Sequence, residues 1–258
     1  MKVSLINYTG IGTVDPSRFA AEQLIFTKQT RLQMTPTLMD EIRLWPYEKV
    51  IEELQYMANT IPSSWEFVDY TFLIEGVTRA FTHQLVRTRT ASFAQQTMRV
   101  LDVTGWDYLT GPTISKNDVP IESFKSGDDY ARSKIYHDCM RDIAIAYEGL
   151  LKNGATIEDA RGVLPTNILT NIVMKINMRN FVELVQKRSS SRVQGEYRDV
   201  LEAMKAEVNG VHPWIALFIE RTFDRAADEL DEAIRSLNID NVQRTNMIKL
   251  LDQMRSKQ

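Results

Sequence analysis

Between Thr82 and Arg99 the chain runs 18 residues without an acidic side chain. In that space it places three arginines, Arg87, Arg89 and Arg99, three glutamines, Gln84, Gln95 and Gln96, and several hydroxyls. A guanidinium is a planar, permanently charged fork of donors that matches the oxygens of a phosphate. A carboxamide carries a donor and an acceptor on one group, the pattern that reads the edge of a heterocycle. The set suits a phosphorylated, hydrogen-bonding ligand.

The rest of the chain must position that segment. At 258 residues with 43% hydrophobic content it can build a sizeable core. A net charge of -3 gives no broad basic face for nonspecific nucleic-acid binding, so an anion site must be a local gathering of arginine. The single cysteine, Cys139, excludes an internal disulfide framework and fits a reducing cytosol. His83, His137 and His212 stand far apart without ligand spacing, so no metal is expected. The N-terminus does not read as a signal peptide, and no apolar run approaches membrane-spanning length. The expectation is a soluble, cytoplasmic protein.

Lys2 to Asn7 reads as a strand closed by Thr9-Gly10-Ile11-Gly12. A dinucleotide fingerprint fails there because Asp15 stands at the third glycine position. Asp15-Pro16 instead reads as the start of a helix of about ten residues. Pro46 opens a second helix with Val50, Ile51, Leu54 and Met57 on one face. Val68, Tyr70, Phe72 and Ile74 alternate as a strand that Gly76 should end. From Val77 to Val86 the period is helical, with Val77, Phe81 and Leu85 inward and Gln84 and Arg87 on another face, ahead of a polar loop. Asp128 to Leu151 reads as a long amphipathic helix with Cys139 among its apolar residues. Thr156 should cap a short helix that carries Arg161. Ile168 to Ile176 alternates as a second strand, and Asn177 and Arg179 follow where it turns into a helix. Arg188 and Arg192, four apart, share a face. Val193 to Gln258 is helical by period and reads as scaffold and oligomer contact. The whole is expected to be one α+β domain, 1–258.

Residues Phe72 to Arg99, with Arg87-Thr88-Arg89 followed by Thr97 and Arg99, resemble the signature of the flavin-dependent thymidylate synthases. The likeness continues through Arg161 to Asn167, Asn177-Met178-Arg179, and Arg188 with Gln194 and Glu196, roughly residues 48 to 200. It implies an antiparallel sheet packed against long helices, in a homotetramer whose active sites lie between subunits. It also implies FAD as cofactor, dUMP as substrate, and methylene-tetrahydrofolate and NADPH as co-substrates. Carried over by position, Gln84, Arg87, Gln95, Thr97, Met98, Arg99, Arg161 and Arg188 would line the nucleotide pocket. Arg87, Thr88, Arg89, Asn177, Arg179 and Glu183 would approach the flavin.

These positions have the right chemistry for the roles so implied. Arg99 and Arg161, backed by the Thr97 hydroxyl, suit a 5′-phosphate, and Gln84 and Gln95 suit a uracil edge. Arg188 would stabilise negative charge on the pyrimidine ring and make C5 nucleophilic without a covalent adduct, so Cys139 is not needed. The sequence departs from the pattern at five places. The signature histidine is Thr88 and its serine is Thr97. An expected asparagine is Glu183, and two further expected histidines are Arg192 and Asn59. Four of these five positions serve the family mainly in holding FAD. The residues therefore leave open reductive methylation of dUMP, a related C5 modification such as hydroxymethylation or use of dCMP, and an inactive nucleotide-binding paralogue. A nucleic-acid module using Arg87, Arg89 and Arg99 lacks a wider basic face.

Overall fold

In a computed structural model the chain is described at residues 1–60, 62–114, 128–188, 195–220, 230–231, 233–237 and 240–255. The sequence expectations for Arg192 and Gln194, and parts of the stretch Val193 to Gln258, lie outside the described residues. A four-stranded antiparallel sheet in the order β1-β2-β4-β3 is combined with helices, the α+β class. Its strands are β1 (Lys2–Tyr8), β2 (Asp69–Thr78), β3 (Ser92–Gln95) and β4 (Leu169–Asn177). Chain contacts resolve into two compact units.

The first unit comprises Met1–Ile6, Thr71–Ile176 and Arg188–Met204. Most of β2 and β4 lies here, and alternation puts Phe72, Ile74, Ile172, Met174 and Ile176 in the core. β2 does not stop at Gly76. Gly76 adopts φ +64, its N–H donates to the Asn171 side chain at 3.0 Å, and the strand resumes to Thr78. A glycine can bend a strand this way because it has no Cβ to clash at positive φ. The helix α4 (Arg79–Leu85) then begins two residues later than the period suggests, capped by Thr78 Oγ1 on the Phe81 N–H at 3.0 Å. Val77 is buried as a strand residue.

α4 ends at Leu85, so Arg87 lies in the following turn and does not share a helical face with Gln84. The expected polar loop contains β3, paired with β4 in the register Ser92 to Lys175 and Gln95 to Ile172. The long helix α5 (Asp128–Lys152) buries Ser133, Met140 and Tyr147, spaced by seven. Cys139 falls one residue off that stripe, about 100° around the helix, and is exposed rather than packed. α6 (Ile157–Ala160) is capped by Thr156, whose Oγ1 accepts the Asp159 N–H at 3.2 Å. In α8 (Gly195–Val211) this unit buries Tyr197, Val200, Leu201 and Met204.

The second unit comprises Asn7–Tyr70, Asn177–Lys187 and Lys205–Gln258. α1 (Pro16–Gln29) starts at the expected Asp15 cap and runs 14 residues. α2 (Leu38–Arg43) was not foreseen, and α3 (Tyr47–Ala58) buries Val50, Leu54 and Met57. α7 (Met178–Arg188) supplies Phe181, Val182 and Val185 to the core. Trp65 packs edge-on against Phe218 with centroids 5.0 Å apart. His212 stacks on Trp214 at 5.1 Å. Its ring nitrogens meet the Tyr70 hydroxyl and the Thr9 carbonyl, both at 3.1 Å.

Candidate functional site

Residues 92–96, which follow α4, are held by backbone pairing with β4. Gln96 extends the β3 to β4 ladder by donating its N–H to Asn171 O at 3.0 Å. Gln95, half-buried, donates from Nε2 to Thr82 Oγ1 at 2.8 Å, which ties it to α4, the helix that carries Gln84. Thr97 Oγ1 accepts the Arg99 N–H at 3.1 Å, and Met98 beside it is half-buried. Arg87 and Arg89 are exposed.

Arginines from separate elements gather around one carboxylate. Arg99 Nε lies 3.1 Å from Glu158 Oε1, and Arg161 Nη2 lies 3.9 Å from the same oxygen. Arg161 also donates from Nε to the Glu158 carbonyl at 3.1 Å. Burial, then the nearby charge of Arg161, makes Arg79 a weaker base than a free arginine. The structure thus brings together Arg99 and Arg161, the two residues expected at a phosphate, and adds Arg79 and Glu158. Sequence reasoning missed both. Arg79 stood unremarked beside the capping Thr78, and Glu158 read only as part of a capped helix.

A second cluster surrounds Arg188, the last residue of α7. Its guanidinium lies over the ring of Tyr197, with Cζ 5.3 Å from the centroid. Tyr197 is fully buried and stands edge-on to Phe81 at 5.1 Å. Its hydroxyl has no hydrogen-bond partner among the described residues. Burial raises its pKa, and the Thr88 side chain and then the charge of Arg188 oppose that rise. Glu196 is fixed next to it: Oε1 accepts the Thr78 N–H at 2.7 Å and Oε2 accepts the Thr78 hydroxyl at 2.6 Å. One cleft is lined by Arg188, Arg198, Asp199, Leu201 and Glu202.

Asn177, Arg179 and Glu183 belong to the second unit. Asn177 Oδ1 accepts the Asn180 N–H at 3.0 Å and so caps α7. Arg179 pairs with Glu66 at 2.6 Å and with Glu183 at 3.3 Å. The hydrogen bond it donates to Glu66 makes Arg179 a stronger base. Burial works against ionisation of Glu183, but Lys187 at 3.1 Å and Arg179 together hold its carboxyl below the ordinary range. Asn59 ends α3 and donates from Nδ2 to Gln55 O at 3.0 Å.

Residues 17–214 match the family described as thymidylate synthase complementing protein, Thy1. The chain belongs to this family. A flavin-dependent thymidylate synthase of Nitratidesulfovibrio vulgaris is 39% identical over 140 residues, 54% of this chain and 55% of that protein. One of Clostridium tetani is 30% identical over 220 residues, 83% of this chain and 84% of that protein. One of Sulfurisphaera tokodaii is 33% identical over 180 residues, 66% of this chain and 65% of that protein. The chain therefore spans about half the length of the first relative and most of the second. The Thy1 match includes both arginine clusters, Asn177, Arg179 and Glu183.

Proposed function

We propose that this chain is a flavin-dependent thymidylate synthase that converts dUMP to dTMP, using methylene-tetrahydrofolate as one-carbon donor and NADPH as reductant. The observation that carries the reading is the convergence of Arg99 and Arg161 on a single carboxylate oxygen of Glu158. Two guanidiniums drawn from separate elements to one anionic atom form a site that a phosphate dianion fits.

In this reading Arg99 and Arg161 exchange Glu158 for the 5′-phosphate, with Thr97 and Met98 beside them. Gln84 and Gln95 hold the uracil edge, and Arg87 supports the nucleotide. Arg188 is the catalytic residue: its charge stabilises the electron-rich pyrimidine ring and raises the nucleophilicity of C5. Cys139, exposed on α5, takes no part. The residues also fit FAD. The exposed guanidiniums of Arg87 and Arg89, flanking Thr88, suit a pyrophosphate, and the resemblance adds Asn177, Arg179 and Glu183, with some of these groups reaching the flavin from a neighbouring subunit. When bound, FAD would supply the two-electron redox chemistry between NADPH and the transferred one-carbon unit. The assembly proposed is a homotetramer with sites between subunits, acting on a small nucleotide and not on nucleic acid or membrane. Among the described residues no helix is long and apolar enough to cross a membrane.

A second reading, C5 hydroxymethylation or action on dCMP, draws on Glu183, an acidic group among the proposed flavin residues that is engaged with Arg179 and Lys187. Incubation of the FAD-loaded protein with dUMP or dCMP, methylene-tetrahydrofolate and NADPH, followed by mass analysis of the nucleotide, tests both. Methylated dUMP supports the first. A hydroxymethylated nucleotide or selective turnover of dCMP supports the second, and an unchanged nucleotide with bound flavin overturns both.

A further inference from the structure

We propose that Tyr197 is a positioning residue for Arg188: the face of its ring holds the guanidinium in place, and its hydroxyl plays no part. The inference rests on the reading of Arg188 as the group that faces the pyrimidine. Arg188 ends α7 and is only half-buried, a setting in which a long side chain would ordinarily sample many rotamers. Asp199 and Glu202 line the same cleft and could draw the guanidinium aside. The Arg188 cation lies over the Tyr197 ring, with Cζ 5.3 Å from the centroid. A guanidinium over an aromatic face is attracted by the ring quadrupole while its donor edges stay available to a ligand, which an ion pair would not allow.

The platform is rigid. Tyr197 is fully buried, its ring meets Phe81 edge-on at 5.1 Å, and the preceding Glu196 grips the cap of α4 through two hydrogen bonds to Thr78. The Tyr197 hydroxyl, in contrast, makes no hydrogen bond among the described residues. A buried hydroxyl left unpaired opposes folding, so the ring's contact with Arg188 is the feature that favours an aromatic residue here.

The test replaces Tyr197 in the FAD-loaded enzyme with phenylalanine and with a series of increasingly fluorinated phenylalanines, which drain the ring quadrupole while keeping its shape. Tyr197→Phe is expected to retain kcat with an unchanged or raised thermal midpoint. Along the fluorinated series kcat should fall progressively, by on the order of tenfold at the end, with KM for dUMP and flavin content held within about twofold. Tyr197→Leu should show the same split where it folds. A flat kcat across the fluorinated series overturns the proposal. So does a Tyr197→Phe enzyme that keeps its flavin and fold but loses turnover, because the hydroxyl would then be the working group. Arg188→Ala separates the two levels: full turnover in that variant removes the reading of Arg188 itself, whatever happens at position 197.

Discussion

Glu158 is the residue on which the proposed phosphate site turns. Its Oε1 lies 3.1 Å from Arg99 Nε and 3.9 Å from Arg161 Nη2, so it offsets the charge that the proposed nucleotide would need. An incoming dianion must take those donors and then sit beside a displaced carboxylate. Glu158→Gln keeps the volume and removes the charge. dUMP affinity measured by calorimetry should rise about 3- to 10-fold, the range of one partly exposed charge interaction. Deoxyuridine, which lacks the phosphate, should bind as before. Weaker dUMP binding would mean instead that Glu158 mainly holds the arginines in place. Arg161→Ala should weaken dUMP by about 10- to 100-fold, the worth of one charge-assisted hydrogen bond, with deoxyuridine again the control. Cys139→Ser should leave turnover within about twofold, since an exposed thiol on α5 has no place in this chemistry; loss of dTMP formation in that variant would point to a covalent route.

At the scale of elements, Thr78 is the hinge pin. Its hydroxyl oxygen caps α4 while its N–H and O–H are held by the two oxygens of Glu196. Thr78→Val removes the cap and one of those bonds and should cost roughly 1–3 kcal/mol by denaturant unfolding. Thr78→Ser should recover most of it, and equal losses in both variants would show that the hydroxyl is not what matters. Much of this architecture was legible. The alternation in β4 and the Asp15 and Thr156 caps carry local signals that their neighbours reinforce. β3 was hidden for a physical reason: as the terminal strand of the sheet it pairs through backbone groups, and its side chains are exposed or half-buried, so no apolar period marks it. Gly76 reads the same in sequence whether it ends a strand or bends one. Arg99 and Arg161 could be picked out in the sequence as candidates for a phosphate, but not their meeting at Glu158, because a carboxylate in the first turn of a helix looks like ordinary capping chemistry.

For the molecule as a whole, proposed chemistry and acid stability rest on different parts of the chain. The pyrimidine residues all fall in the first unit, whereas the ionisable group with a large shift toward acid, His212, lies in the second. Burial pushes the His212 pKa down from 6.5 to about 4, and hydrogen bonding to the Thr9 carbonyl only partly opposes it. The folded protein holds this ring neutral, accepting from the Tyr70 hydroxyl and donating to Thr9. Between pH 6.5 and about 4 the unfolded chain binds the proton and the folded chain does not. Stability from this group is therefore complete above pH 6.5 and is lost as the pH falls, amounting to ~3 kcal/mol by pH 4. Carboxylates add their own acid dependence mainly below pH 5, so the window from 6.5 to 5 isolates the histidine. The thermal midpoint of the wild-type protein should decline across that window. His212→Gln, which can keep one donor and one acceptor, should be less stable at pH 7 yet nearly flat between 6.5 and 5. A variant with the wild-type slope would assign the acid sensitivity to other groups.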